Sequence, residues 1–595
     1  MAATQRDYSK RTSWRLLSSL LRPHRGLAVA ALVLLLADIV GMLLIPTQLA
    51  ALVNVAVGTR DAVELTSHGI AMLVAAVVGS GGCVASYYVA SRLAAYVGRD
   101  LRVAVYKKSL ALSGADFNAF GTGSMITRTL SDANVVQQTL LMTFMMVLPV
   151  PVACVVAIVL AFGIDPVMGR LLLVLTLAML AISGVAVWKS TPIFLAMQGF
   201  VDRMNSRLRE VVTGTRVIRA FGKEERERDR LDETFEDYAR NAIRVNMLFS
   251  VVDCSTFFLM NVVEVLVMWL GADRVGAGAM QIGSISALLE YAMLILFFMM
   301  MAQFAIIQAP RALSCLTRAA AVLDAVPSVA EPASPKRLVA PSDPCPGDEA
   351  ARFSRASFRF ADADEDTLHD LSFSVRRGEV TAIMGNTGSG KSTVVKMLLR
   401  FHDVTEGELL VLGTDVRDVT QHDLRSHIAY VPQKAWLFSG TIAENLRSGN
   451  AGTTDEELWH ALDVAQATFV RELPDGLSSR VAQGGSNFSG GQQQRLAIAR
   501  ALVRHADLYV FDDAFSALDY KTDAALRRAL EGELAQSAVV IIAQRVSTVR
   551  NAAQIVVLDD GRMVGLGTHE QLMETCPEYQ DIVESQTRGG ATADE

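Results

Sequence analysis

Six apolar segments, near residues 27–53, 69–91, 138–162, 167–188, 247–271 and 285–309, constrain this chain more than any other feature. Each is long enough to cross a hydrocarbon layer of ~30 Å, which takes about 20 helical residues. Lipid offers no partner to backbone N–H and C=O groups, so each segment must satisfy its own as a helix. An even number of crossings returns both ends to one side. Arg6, Lys10, Arg11, Arg15, Arg22 and Arg25 precede the first span and Lys/Arg crowd 92–128 and 189–244, whereas the opposite loops hold only Arg60, Arg170 and Arg274. The positive-inside rule therefore places both termini, and everything after the sixth span, in the cytoplasm of a cell whose cytoplasmic membrane the chain crosses. Tyr8 to Arg22 alternates basic, aromatic and leucine residues, as an interfacial helix would, and lacks the apolar core and cleavage site of a leader.

At 595 residues the chain exceeds one core. The spans belong to a membrane domain over 1–325. Its two cytoplasmic connections are too long for turns and read as amphipathic helices that extend spans 2 to 5 beyond the bilayer. Each is expected to break at its far end, one at Asp116-Phe117-Asn118-Ala119-Phe120-Gly121-Thr122-Gly123, the other at Val212-Thr213-Gly214-Thr215-Arg216. Residues 326–350, rich in Pro, Ser, Ala and acid as in Glu331-Pro332-Ala333-Ser334-Pro335 and Pro341-Ser342-Asp343-Pro344, read as a linker. A soluble α/β domain follows over 351–585, and 586–595 reads as a flexible tail.

The soluble domain carries the chemistry. The apolar run Thr381-Ala382-Ile383-Met384 ends in Gly385-Asn386-Thr387-Gly388-Ser389-Gly390-Lys391-Ser392, and Thr393-Val394-Val395-Lys396-Met397-Leu398 continues as a helix. This is G-x-x-x-x-G-K-S between strand and helix: glycines let backbone N–H groups wrap phosphates, the helix start adds positive potential, Lys391 reaches the terminal phosphates, and Ser392 can ligand Mg²⁺. A second apolar strand, Leu508-Tyr509-Val510-Phe511, delivers Asp512, placed to hold Mg²⁺ through water. Asp513 follows it. Asn487-Phe488-Ser489-Gly490-Gly491-Gln492-Gln493-Gln494-Arg495 offers small residues at a second helix start that suits a phosphate.

Taken together these residues resemble an ATP-binding cassette (ABC) exporter half-transporter, with six spans fused to one nucleotide-binding domain, over nearly the whole chain. The resemblance implies that Ser489, Gly490, Gly491 and Gln492 form the signature motif, that Gln433 in Tyr430-Val431-Pro432-Gln433 senses Mg²⁺, and that Ser516-Ala517-Leu518-Asp519 is the D-loop. Phe360, 25 residues before Gly385, matches the aromatic that stacks on adenine. It implies ATP and Mg²⁺ as cofactors and a head-to-tail pair of nucleotide-binding domains, each ATP lying between the phosphate loop of one and the signature of the other. Two positions depart from the family pattern. Asp513 stands where a glutamate polarises the attacking water, and Gln544 in Ile541-Ile542-Ala543-Gln544-Arg545 stands where a histidine switch belongs. The first is one methylene short and the second can hold neither proton nor charge, so the resemblance implies a degenerate site on Lys391 and a signature that completes a competent site on a second, non-identical half-transporter.

The net charge of −7 gives no basic surface for nucleic acid. Six scattered cysteines without a CxxC pair or clustered histidines argue against a zinc or iron–sulfur centre. Within the spans lie Asp38, Asp253, Glu264 and Glu290, each costing ~2.5–3.5 kcal/mol near a bilayer centre unless sheltered. Asp253, Phe257, Asn261, Glu264 and Met268 share a helical stripe in the fifth span, and Glu290, Met293, Phe297, Met301, Phe304 and Gln308 another in the sixth. Carboxylates, aromatic rings and adaptable methionines suit bulky, amphipathic cargo. They equally suit helix pinning and core packing. The sequence reads as an ATP-driven translocator, with multidrug efflux the leading cargo class. A lipid, peptide or siderophore transporter of the same fold, or a nucleotide-gated membrane regulator or channel, stays open.

Overall fold

The computed structural model describes residues 10–339, 345–361 and 363–591; Arg6, Tyr8 and Pro341-Ser342-Asp343-Pro344 lie outside them. Its contacts divide the chain into two units, one of 1–111 with 119–325 and one of 112–118 with 326–595. The second unit thus takes in seven residues expected in the membrane domain.

Among the described residues of the first unit, six helices are long and apolar enough to cross a membrane. A short helix, Lys10–Leu21, leads into the first, Arg25–Val57, and the second runs unbroken over Ala62–Ala111. These two meet through glycine. A methyl group added at Gly41 would stand 2.5 Å from the Gly79 Cα, and one at Gly82 would stand 3.0 Å from the Asp38 amide nitrogen. Small residues let helices approach where no hydrophobic effect separates them from lipid. The third crossing, within Thr122–Ile164, includes two π-helical turns, Arg128–Asp132 and Thr143–Val147. On the first of these Asp132 holds Arg318 by two bonds of 2.7 and 2.8 Å. The fourth and fifth are the long helices Pro166–Ala220 and Glu224–Gly276. Asp165 caps the fourth through the Val167 and Met168 amides and also holds Arg274 at the end of the fifth. The sixth, Gly283–Leu323, starts with its Gly283 N–H on the Asn54 carboxamide oxygen. Tyr291 is fully buried in the apolar core among these helices and bonds Thr47 at 2.7 Å.

One expected break falls elsewhere. Val212 to Arg216 is continuous helix, and the chain turns instead at Phe221-Gly222-Lys223, where Gly222 has φ +57°. A mid-helix glycine such as Gly214 costs only ~1 kcal/mol and does not break a helix by itself. The first break is a short helix, Gly114–Phe120.

In the second unit ten strands form one sheet, in the order Thr414–Asp415, Glu406–Val411, Glu349–Phe358, Leu368–Arg376, Arg562–Gly567, Gln554–Asp559, Val380–Gly385, Ala538–Ile542, Leu508–Asp512, Ile428–Val431. The last five run parallel to one another and read as apolar runs because both faces are covered. Their carboxyl ends are where an open α/β sheet gathers ligands. The interdomain segment is not loose over its first half. Lys336 N bonds the Asp418 carbonyl, Leu338 N the Asp423 carboxylate, and buried Arg400 the Ala330 carbonyl. The expected tail begins inside a helix, Pro577–Ala591.

Because the first two spans touch through Gly41 and Gly79, Gly41→Ala, whose added carbon would stand 2.5 Å from the Gly79 Cα, is expected to cost about 1–3 kcal/mol through overpacking. Gly81→Ala, with nothing within 4 Å of the added carbon, should leave thermal stability in detergent unchanged. Equal melting of the two variants would show that the glycine contact does not hold these helices together.

Candidate functional site

The phosphate loop follows from strand Val380–Gly385 and helix Lys391–Leu398. Gly385, Gly388 and Gly390 have φ of +150°, +93° and +96°, a region side chains resist. Space forbids them as well: a methyl group at Gly385 would stand 2.0 Å from the Leu558 carbonyl oxygen, and one at Gly390 2.5 Å from Leu368. Lys391 Nζ donates to the carbonyls of Gly385 and Asn386, at 2.9 and 2.7 Å. The Ser389 and Thr393 amides bond back to Asn386 and Gly390, closing the turn through Thr387. Ser389 Oγ is buried with no hydrogen-bond partner among the described residues. A buried orphan hydroxyl in a ring of glycines is what a phosphate oxygen completes. Burial holds the Lys391 ammonium below the usual lysine range, against the pull of Asp513 and Asp512.

The parallel strands bring the remaining groups to the same edge. Asp512 ends strand Leu508–Asp512, and Ser392 Oγ and the Tyr430 hydroxyl each donate to it at 3.4 Å. Burial pushes the Asp512 carboxyl up and, with Asp512 beside it, pushes the Tyr430 phenol up as well. These are groups whose charged forms await a cation or phosphate to offset the lost water. Asp513 takes the left-handed φ of +49°, its N–H on the Ile542 carbonyl, a strained conformation of the kind that functional sites hold. Two amides then meet one carboxylate oxygen: Gln433 Nε2 and Gln544 Nε2 donate to Asp513 Oδ2 at 3.1 and 3.2 Å. Sequence reasoning brought Asp512, Asp513, Gln433 and Gln544 to one place but did not anticipate Tyr430.

The signature lies at another helix start. Ser489 caps helix Gly490–Leu502 in a reciprocal box with Gln492. Nothing stands within 4 Å of a carbon added at Gly490, whereas one at Gly491 would stand 3.2 Å from the Ala517 carbonyl. Gln494 Nε2 bonds the Pro432 carbonyl at 3.2 Å, which ties this helix to the loop bearing Gln433. The Phe360 ring packs edge-on against Phe358 and His402, with centroids 4.8 and 5.4 Å away.

In the membrane unit, Thr256, Phe257, Met260, Glu290, Met293, Phe297 and Met300 line a cavity of about 520 Å³ with Met42. A neighbouring one of about 140 Å³ adds Glu264 and shares Glu290 and Met293. Two carboxylates, two rings and several methionines therefore do converge, on a face rotated from the expected stripes. Asn261 and Met301 fall off it: the Asn261 amide bonds the Phe257 carbonyl, and Met300 takes the place expected of Met301. Asp253 is not among the lining residues. Asp38 faces the second span, against Gly82 and beside Cys83. The side chains of Phe304 and Gln308 lie outside the described residues. Sequence reasoning missed Met260 and Met300, and the one signal for them is that each lies one helical turn from a named residue, Glu264 and Phe297.

Comparison with known proteins agrees with this geometry. Residues 28–300 match the ABC transporter transmembrane region and 368–516 the ABC transporter domain. An uncharacterised ABC transporter ATP-binding protein of Mycobacterium tuberculosis is 37% identical over 96% of this chain and 98% of its own. An ATP-dependent lipid A-core flippase of Desulfotalea psychrophila is 30% identical over 81% of this chain and 83% of its own. A probable multidrug resistance ABC transporter of Bacillus subtilis is 32% identical over 67% and 68%. A bacterial Atm1-family ABC exporter solved with ATP bound shares the fold, with TM-score 0.81, 24% identity and coverage of 94% of this chain and 98% of that one. With six membrane helices joined to one phosphate-loop domain, this chain belongs to the ABC transporter family and has the architecture of an exporter half-transporter.

Proposed function

We propose that this chain is one half of a heterodimeric ABC exporter, that its own phosphate loop binds ATP and hydrolyses it poorly, and that its signature completes the working site of a non-identical partner. The observation that carries the reading is the Asp513 carboxylate held by two amides, Gln433 and Gln544. Aspartate is one methylene shorter than the glutamate of the family pattern, and misplacing a catalytic group by about 1 Å costs ~10²-fold in rate. Gln544 can donate a hydrogen bond but cannot carry the charge that a histidine offers a leaving phosphate.

Binding asks for less than hydrolysis. The glycines, the Ser389 hydroxyl, Lys391 and the Phe360 ring supply a phosphate cradle and an aromatic surface for a nucleotide. Ser392, Asp512 and Gln433 would hold Mg²⁺, which neutralises charge on the terminal phosphates. Ser489, Gly490, Gly491 and Gln492 keep the open helix start by which a signature meets a phosphate on another chain.

The cargo class that fits best is bulky and amphipathic, with a preference for cations. Glu264 and Glu290 beside Phe257, Phe297 and the methionines support it, as do relatives named for multidrug resistance and for lipid flipping. The basic connections argue for the cytoplasmic membrane with the nucleotide-binding domain inside. Cargo-stimulated ATPase activity in the reconstituted complex distinguishes a pump from a nucleotide-gated regulator.

The chain purified alone is expected to show little ATPase activity, and Asp513→Glu with Gln544→His to raise it at least about tenfold. Brisk turnover by the native chain alone, abolished by Lys391→Ala, would sink the degenerate site.

In the heterodimer, Ser489→Ala or Gly490→Asp should impair transport more than Asp513→Ala, since the signature serves the active pocket. The reverse ranking would mean that the two sites are assigned backwards.

A carboxylate in sparse water attracts a cation strongly. Glu264→Gln or Glu290→Gln should therefore lower export of cationic compounds severalfold while neutral cargo, extracted yield and basal ATPase hold. Equal loss for both cargo types would remove these carboxylates from cargo recognition.

A further inference from the structure

Gln586 falls where the sequence reads as a tail, yet it stands on helix Pro577–Ala591 with its carboxamide on the loop that carries Gln544. Its Nε2 donates to the Gln544 carbonyl at 2.6 Å, and its Oε1 accepts from the Val546 N–H at 2.9 Å. One side-chain amide thereby pairs with the backbone on both sides of Arg545, the two-bond contact that a neighbouring strand would otherwise make.

The platform under Gln586 is firm. Tyr579 on the same helix is fully buried and bonds His569 Nδ1 at 2.8 Å, and Ile582 and Val583 pack on the core that contains Ile541 and Phe511. The loop itself is short of regular structure: strand Ala538–Ile542 has ended and the next helix, Val546–Val549, spans one turn. At its other end the Gln544 side chain reaches Asp513 Oδ2. A chain of contacts therefore runs from the closing helix through the loop backbone to the carboxylate at the candidate hydrolytic position.

We propose that Gln586 is a positioning residue for the nucleotide site, its amide clamping the backbone around Arg545 and so fixing where the residue at 544 stands relative to Asp513. The proposal rests on the reading of Asp513 and Gln544 as the base and switch positions. It does not depend on which of the two half-transporters hydrolyses ATP, because the clamp grips backbone.

The test uses the full-length chain with Gln586→Met, which keeps side-chain length without hydrogen bonds, and Gln586→Glu, which keeps the acceptor for Val546 and loses the donor for Gln544. Hydrogen–deuterium exchange of residues 541–550 should speed up at least about fivefold in the Met variant, which loses both hydrogen bonds, each carrying about that factor, and less in the Glu variant. MgATP affinity and melting temperature should hold, because neither change touches the phosphate loop or the core. Turnover is read in the native chain and in the Asp513→Glu/Gln544→His chain, whichever hydrolyses ATP. There Gln586→Met should lower kcat roughly tenfold with KM within about twofold. Brisk native turnover would overturn the degenerate-site reading and make the native chain the background for this comparison. Exchange unchanged in the Met variant, or faster exchange with kcat intact, would overturn the clamp. Should neither chain hydrolyse ATP, exchange alone decides.

Discussion

The fold of the membrane unit depends on the absence of water as a hydrogen-bond partner. Each crossing must satisfy its own backbone groups, so each is helical, and the helices do not stop where lipid does. The second, fourth and fifth run for 50, 55 and 53 residues, about 75 to 83 Å at 1.5 Å per residue, more than twice the bilayer core. Such lengths cannot be held by the apolar effect alone inside lipid, where a leucine on a neighbouring helix is no more attractive than an acyl chain. Inside the spans the specific contact is Gly41 against Gly79, and beyond their ends Asp165 holds Arg274, Asp132 holds Arg318 and Asn54 holds Gly283. Each satisfies polar groups or brings backbones close where packing by hydrophobicity is weak.

The nucleotide-binding unit meets the opposite constraint. Its parallel strands are buried on both faces, and their carboxyl ends are the one edge at which polar groups can collect without breaking the sheet. Gly385, Asp512 and the loops to Gln433 and Gln544 leave from that edge, which is why residues up to 159 positions apart in sequence, 385 and 544, form one pocket. Register alone accomplishes this: Ile542 pairs with both Ile383 and Asp512.

What was legible in the sequence was whatever has a local signature. Twenty apolar residues, or glycines at fixed spacing before Lys-Ser, mean the same thing wherever they occur. The second cytoplasmic break was misplaced because Gly214 resembles a breaker in one dimension, while a long helix with many satisfied bonds absorbs it and turns at Gly222. The cavity stripes were nearly right but rotated, since a 3.6-residue repeat leaves either of two adjacent residues on a face. Met300 over Met301 is such a choice, and it is made by the packing of the neighbouring helix. Asp38 could not be assigned from the sequence because its neighbour, Cys83, lies on another span. Gln586 had no signature: it bonds backbone 40 and 42 residues away in sequence.

On the proposed reading, the retention of the phosphate loop beside an altered base position follows from a difference in chemistry. Holding a nucleotide requires many weak contacts, chiefly backbone N–H groups and one ammonium, and their sum tolerates the loss of one. Hydrolysis concentrates its demand on a single carboxylate and its switch, where an ångström decides about two orders of magnitude. A chain can therefore lose turnover and keep affinity through two substitutions that leave the surrounding hydrogen bonds intact, as Gln433, Gln544 and the Ile542 carbonyl around Asp513 illustrate. On the proposed reading, a pocket of that kind would give a binding signal that outlasts each turnover elsewhere. If paired with a working site completed by Ser489 and Gly490, it would keep two domains joined while the other site fires, so that the asymmetry in one chain becomes a division of labour between two.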